Sequence, residues 1–431
     1  MIHTISRAGA LKGVVSLTGD KSISHRYAML AAIAEGVSEI RHFAASEDCQ
    51  STLGCLQSLG VELSKDGGTV SIRGSGLRGL KASAGALDAG NSGTTIRLLS
   101  GILAGQEFET TIAGDESLSR RPMGRVAQPL RLMGATVEAR PGELPPLRIR
   151  GGRLKPLRYV LPVASAQVKS CILLAGLFAD GPSSVREDVP TRDHTEIALQ
   201  KFGGAIRRDG AWIEVTPNPR LTGLPLDVPG DLSSAAFFLV AAALIPGSDV
   251  MLPRVGLNLR RRELLDYLQS CGLSIEVEGA VEREGEPRGN LRVRYTPALL
   301  DRGMPAIRGA LAAGLIDEIP VLAVLGSQVA GGLEIAGAHE LRLKESDRIA
   351  AIAANLTAMG AKVEEKPDGL ILQGGQRLQG ADIETRRDHR IAMAFAVAGM
   401  VAEGETRIHQ AECAAVSFPG FWDALSGIAA G

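Results

Sequence analysis

A chain of 431 residues is longer than one hydrophobic core ordinarily serves, so two domains are expected. Its 47 basic and 48 acidic residues nearly cancel, which argues against bulk electrostatic binding to nucleic acid or anionic lipid. Aromatics at 3% leave no stacking platform for a single strand, and the core must be built from Ala, Leu, Val and Ile.

The first predicted helix lies in GDKSISHRYAMLAAIAEG (19–36), from about Ser22 to Ala34, with Asp20 or Ser22 as cap. Its first turns carry Lys21, His25 and Arg26, although the positive end of the helix dipole disfavours each cation by a few tenths of a kcal/mol. Further on, GSGLRG (74–79) satisfies a dinucleotide-binding spacing, but LKASAGALDAG after it has no helical period, so it reads as a turn. GNSGTTIR then places two glycines, Asn91, Ser92 and Thr94 at a helix start, where backbone N–H groups make an anion cradle. LSRRPMGR holds Arg120, Arg121 and Arg125, with Pro122 expected at the first position of the next helix.

SAQVKSCILLAGLFADG (165–181) opens another Ala- and Leu-rich helix, and GDLSSAAFFLVAAALIPG (230–247) matches the first motif without a gap, Gly19 against Gly230. DEIPVLAVLGSQVAGG (317–332) starts a helix at Asp317 and Glu318. LRLKESDR is expected to set Lys344 and Arg348 on one helical face, where like charges repel, with Glu345 between them. DHRIAMAFAVAGMVAEG (388–404) puts His389 and Arg390 in the first turn of the last such helix. These six segments recur at intervals of about seventy residues. Between them SLGVEL, LMGATVE, KFGGAIR, SCGLSIEV and AMGAKVEE each end a helix at Gly and begin an alternating strand. Six copies of a mixed α/β unit follow, grouped by the 211-residue offset into lobes of three, with the chain switching lobes near 18–20 and 228–231.

Cations thus gather at helix starts in five matching places, where a single Arg would ordinarily be a solvated surface residue. The simplest compensation is a strongly anionic ligand with several phosphate or carboxylate groups. A carboxylate and a lysine sharing an anion pocket, as Glu345 and Lys344 would, are suitable acid–base partners. No phosphate-loop, H-E-x-x-H or Cys/His metal spacing is present in the sequence. The five cysteines form no C-x-x-C pair, the first residues lack an apolar signal core, and the longest apolar run (235–246) is too short for a bilayer. A soluble cytoplasmic protein is expected, without nucleic-acid or membrane partners.

The motifs GDKSISHR, GNSGTTIRL, RRPMGR, SAQVKS, TRDHTE, LKESDR and DHRIAM, in this order, resemble the 5-enolpyruvylshikimate-3-phosphate (EPSP) synthase family over nearly the whole chain, to SFPGF at 417–421. The resemblance implies an enolpyruvyl-transferase-like fold, an inside-out α/β barrel of two lobes, each of three βαββαβ units, closing over the substrates. The lobes would be 19–229 and 1–18 with 230–431. It implies transfer of the enolpyruvyl group of phosphoenolpyruvate to the 5-hydroxyl of shikimate 3-phosphate through a tetrahedral intermediate, releasing phosphate, with no metal or organic cofactor. A monomer acting on these two small molecules is expected.

Carried over by motif, the resemblance makes Lys21, Asp317 and Glu345 the catalytic residues. Lys21, Ser22, Arg26, Ser165, Ala166, Gln167, Arg192, Asp317 and Lys344 would hold shikimate 3-phosphate. Lys21, Gly93, Arg121, Gln167, Arg348 and Arg390 would hold phosphoenolpyruvate. The family is inhibited by glyphosate, which competes with phosphoenolpyruvate, and the hydrogen of Gly93 leaves room that a methyl would fill. Two departures stand out: Val416 replaces the Lys that often precedes the [ST]-F-P motif, and NLRRRELL (258–265) is more basic than the usual N-P-T-R stretch. Two alternatives remain, another acceptor such as UDP-N-acetylglucosamine and a non-catalytic anion-binding paralogue. The sister family that uses UDP-N-acetylglucosamine carries a reactive Cys in a mobile loop. Here the cysteines lie in apolar or helical patterns.

Overall fold

Glycine turns set the repeat. In the computed structural model, which describes residues 1–283 and 285–429, the helix Glu47–Ser58 ends at Leu59. Gly60, at φ +82°, then swings the chain into the strand Glu62–Asp66. Gly134, at φ +100°, does the same between Gly124–Leu132 and Thr136–Arg140, and Gly203, Gly272 and Gly360 occupy the matching places. An L side chain rarely adopts that left-handed conformation, so glycine is the economical residue there.

The hairpin that follows each turn builds a sheet with one recurring order. In the sheet around Glu109–Ala113, the short strand Leu87–Asp88 pairs parallel on one side and Leu144–Arg150 antiparallel on the other. Thr136–Arg140 then closes the edge against Leu144–Arg150. The sheets around Glu35–Arg41, Ser183–Arg186 and Asp249–Gly256 have the same four-strand order. The sheet containing Leu333–Ile335 takes its fourth partner from a single parallel bridge, Ile307 to Ile335. In chain order the repeat therefore runs strand, helix, strand, helix, hairpin, or βαβαββ counted from its short strand. The expected βαββαβ order put the hairpin before the second helix, and the glycine turn at the end of that helix is what places it after.

The chain divides into two compact units, Gly19–Val228 and Met1–Thr18 with Pro229–Gly431. Strand pairing explains the discontinuity. Ile2–Ser6 pairs with Glu405–His409 and Lys12–Val14 with Asp249–Gly256, whereas Pro225–Asp227 returns to Glu35–Arg41.

Each unit has its own core around three inner helices. In the first these are Lys21–Ile33, Gly93–Ala104 and Ala166–Gly176. In the second, Leu232–Leu244, Ile319–Gln328 and His389–Val401 pack pairwise, and every residue of Leu232–Leu244 is buried. A helix apolar on all sides can only be stable inside such a packing. Edge-to-face rings of Phe237, Phe238, Phe418 and Phe421 complete that core. No described helix is long and apolar enough to cross a membrane. All five cysteines are buried and unpaired, and burial pushes the Cys55 and Cys413 thiols up to about 12, so they remain protonated.

Of the two caps expected for the first helix, Asp20 serves, its Oδ1 accepting from Ile23 N at 2.9 Å. The helix starts differ from expectation in two places. Pro122 lies before the helix Gly124–Leu132, for which Met123 is the cap. Lys344 ends a short 3-10 turn, His339–Leu343, and Arg348 begins the helix Arg348–Ala358, so the two cations do not share a helical face. Asp347 interrupts the run because its carboxylate caps the new helix at Ala350 N, 3.0 Å away.

Close helix packing in the first unit rests on Gly101, where an added Cβ would run into the Cys171 carbonyl of the neighbouring inner helix. Gly101→Ala should therefore destabilise the unit by about 1–3 kcal/mol, seen as a lower urea midpoint at unchanged slope.

Candidate active site

In the unit Gly19–Val228 the starts of the three inner helices carry the polar side chains. Lys21 is the first residue of its helix and reaches Asp48 Oδ2 at 2.7 Å. Arg26, one turn later and 4% exposed, donates from Nε to Thr195 Oγ1 (2.6 Å) and from a terminal nitrogen to Ser170 Oγ (2.9 Å). Its other terminal nitrogen donates to the Ser22 carbonyl at 2.8 Å, which links Ser22 to the same group. His25 sits between the two cations, fully buried, with Nδ1 2.6 Å from Thr52 Oγ1. Thr52 continues to Thr95 at 2.7 Å and Thr95 to Ser92 at 2.8 Å, so one hydroxyl chain ties three helices together.

The Gly93 start is built the same way. Ser92 caps the helix, accepting from Thr95 N at 3.0 Å. Arg121 is nearly buried and donates to Asn91 Oδ1 at 2.6 Å and Ser117 Oγ at 3.0 Å. Arg97 donates to Gln167 Oε1 at 2.8 Å, and Gln167 Nε2 donates to Thr94 Oγ1 at 3.0 Å. Ser165 caps the third helix, its Oγ accepting from Val168 N at 3.3 Å, with Ala166 as the first helical residue. The structure thus brings Ser22 and Arg26 together, and separately Gln167, Gly93 and Arg121 around Arg97. An added Gly93 Cβ would lie 2.7 Å from Arg97 Nη1 and 3.5 Å from Arg121 Nη1. Arg192 lies in the irregular loop between the strand Ser183–Arg186 and the helix His194–Lys201.

The second unit concentrates acids with its cations. Arg348, whose side chain is 1% exposed, makes a two-point contact with Asp388, Nε to Oδ2 at 2.8 Å and Nη2 to Oδ1 at 3.2 Å. Nη2 also donates to Glu345 Oε2 at 2.6 Å, and Asp317 Oδ1 lies 3.7 Å from Nη1 and 3.3 Å from Lys344 Nζ. Burial disfavours the charge on Arg348, but Asp388, Glu345 and Asp317 outweigh it and raise the pKa, so the guanidinium stays charged. Asp388 caps the helix His389–Val401 through Arg390 N at 2.9 Å and accepts from Ser346 Oγ at 3.0 Å. Arg390 Nη1 is 3.8 Å from Glu318 Oε1. Glu318 in turn bonds Ser233 and lies 3.5 Å from Arg261, which also faces Asp231 at 3.6 Å. The internal carboxylates Asp48, Asp388 and Glu318 thus supply part of the compensation that the sequence assigned to a ligand alone.

Several members of these clusters are absent from the motif-based assignment: Asp48, Arg97, Arg261, Glu318 and Asp388; the buried Lys169 of the helix Ala166–Gly176, outside both clusters, is absent from it too. Lys169 had a signal, a lone lysine within the apolar run VKSCILL. Asp48 and Asp388 had none beyond being acids at helix starts, where capping is the ordinary reading.

The family model described as EPSP synthase (3-phosphoshikimate 1-carboxyvinyltransferase) matches residues 5–425. The chain belongs to the EPSP synthase family. A 3-phosphoshikimate 1-carboxyvinyltransferase from Solibacter usitatus is 52% identical over 429 residues, spanning 100% of both chains. Another from Pelotomaculum thermopropionicum is 51% identical over 98% of each. Among solved structures, an EPSP synthase from Acinetobacter baumannii superposes with a TM-score of 0.86 at 42% identity, covering 99% of this chain and 98% of that one. The enolpyruvyl transferase NikO from Streptomyces tendae shares the fold, with a TM-score of 0.76 at 16% identity over 99% and 97% of the two chains. The EPSP synthase family therefore accounts for the fold, and for the anionic chemistry that the clustered cations suit.

His25 gives a pH signature. Burial first, then Lys21 and Arg26, hold its pKa well below 6.5, so it stays neutral in the folded protein while the unfolded chain protonates below that value. Its contribution to stability is complete above pH 6.5 and is lost as the pH falls, at up to about 1.4 kcal/mol per unit. Thermal unfolding between pH 7.5 and 5 should be less pH-dependent in His25→Asn than in the parent.

Proposed function

We propose that these two clusters are the working parts of an enolpyruvyl transfer. The family activity moves the enolpyruvyl group of phosphoenolpyruvate to the 5-hydroxyl of shikimate 3-phosphate and releases phosphate, within aromatic amino-acid biosynthesis. Both substrates are polyanions, which suits the nearly buried Arg26, Arg121, Arg348 and Arg390. In this reading Lys21, Ser22, Arg26, Ser165, Ala166, Gln167 and Arg192 hold shikimate 3-phosphate, with Asp317 and Lys344. Lys21, Gly93, Arg121, Gln167, Arg348 and Arg390 hold phosphoenolpyruvate. The free, protonated cysteines accord with a reducing compartment, and we place the enzyme in the cytoplasm.

The observation that carries the reading is the pairing of Asp317 with Lys344 at 3.3 Å, within a cluster that also holds Glu345. A carboxylate next to an ammonium can take the 5-hydroxyl proton as the oxygen attacks C2 of phosphoenolpyruvate. A second carboxylate can deliver a proton to C3 and remove one on elimination. Glu345 and Lys21 are the groups we assign to proton transfer at the methylene carbon and the leaving phosphate.

A different observation favours a plainer role for Glu345. Its Oε2 is 2.6 Å from Arg348, so it could serve only to hold that guanidinium. Glu345→Gln separates the two. Under proton transfer the variant binds shikimate 3-phosphate normally, loses on the order of 10²–10⁴-fold in turnover, and stops incorporating solvent deuterium at C3. Under the plainer role it binds phosphoenolpyruvate poorly yet still exchanges deuterium at saturation. Phosphate release with shikimate 3-phosphate but not with UDP-N-acetylglucosamine tests the acceptor.

Gly93→Ala tests the phosphoenolpyruvate assignment. The methyl displaces Arg97 from Gln167, so the inhibition constant of glyphosate should rise far more than the KM for shikimate 3-phosphate. Equal inhibition of both proteins removes Gly93 from that assignment.

A further inference from the structure

Lys169 has no part in the scheme above, yet it is the most deeply buried ammonium among the described residues, with a side-chain exposure of 0%. It stands on the inner helix Ala166–Gly176, two residues after Gln167, among Val168, Ile172 and Leu173. An apolar residue would pack in that setting without the desolvation cost of a charge, and replacing buried ion pairs by apolar residues is often neutral or stabilising. What the ammonium touches is specific. It lies 3.0 Å from Glu187 Oε2 and 2.7 Å from Glu196 Oε1, and it donates to the Thr191 carbonyl at 3.4 Å. Glu187 Oε2 also accepts from Thr191 N at 3.0 Å and from Thr191 Oγ1 at 2.7 Å, while Arg208 braces Glu187 Oε1 at 2.8 Å.

These contacts fall at the start of the 187–193 loop, in its middle, and in the first turn of the helix His194–Lys201 that follows. Thr191 immediately precedes Arg192. The loop has no ladder of its own, so this cluster fixes its path. We propose that Lys169 is a positioning residue that clamps this loop so that Arg192 meets the phosphate of shikimate 3-phosphate. The proposal rests on the assignment of Arg192 to that phosphate.

The test uses steady-state kinetics on the full chain with Lys169→Met/Glu196→Gln, a pair that removes one charge of each sign and leaves Glu187 with Arg208. The KM for shikimate 3-phosphate should rise on the order of tenfold, with kcat and the KM for phosphoenolpyruvate within about twofold. Adding Arg192→Ala to this variant should raise the KM little further, because the clamp acts through Arg192. Independent, multiplying effects overturn the proposal, as does an equal loss toward both substrates, which marks a general structural role. Arg192→Ala alone keeps the two claims apart. An unchanged KM there overturns the assignment of Arg192. A raised KM there, with an unchanged one in the double variant, overturns the clamp only. If the double variant does not fold, Thr191→Val, which deletes only the hydroxyl donated to Glu187, carries the test. A smaller rise confined to shikimate 3-phosphate supports the clamp, and no rise overturns it.

Discussion

A cation taken out of water must meet compensating charge or acceptors, and the polar architecture of this protein follows from that requirement. The inner helices are apolar along most of their length because they form the cores. Their charged groups are gathered in the first two turns. Placing Lys21, Arg26 and Arg390 there, with Arg348 at the start of a further helix, opposes the helix dipole and removes hydration. The structure answers with acids and acceptors from the same or a neighbouring repeat of the unit: Asp48 for Lys21, Asp388 for Arg348 and Glu318 for Arg390, with hydroxyls and a carbonyl for Arg26.

Many of these partners perform two tasks. Asp388 caps one helix while holding the guanidinium that begins another, and Ser92 caps a helix while ending the hydroxyl chain from His25. Economy of this kind makes the helix starts rigid, because moving one side chain disturbs both a cap and a charge. Preorganised charge of this sort is what a site for polyanionic substrates needs. A guanidinium already oriented does not have to be ordered when the ligand arrives.

The repeat supplies the geometry that makes such sharing possible. Each βαβαββ copy places its helix starts beside those of its neighbours, so residues far apart in the chain meet. Lys169 shows how far this extends. Its acids lie later in the same copy, Glu187 at the start of the 187–193 loop and Glu196 in the first turn of the helix that follows.

The repeats, the glycine turns, the cation-bearing helix starts and the family were legible in the order of the amino acids. Each of these is local: a turn residue beside an apolar period, or a motif read in order. The residues proposed to touch substrate were legible for the same reason, since they lie within the motifs. Which acid serves which cation was settled by the packing of distant segments. Lys21 and Asp48 are 27 residues apart, Arg348 and Asp388 40, and Arg390 and Glu318 72. No periodicity links such pairs. It also separated Lys344 from Arg348, because the Asp347 cap starts a new helix between them, and a capping carboxylate competes with helix continuation at a balance that sequence patterns do not resolve.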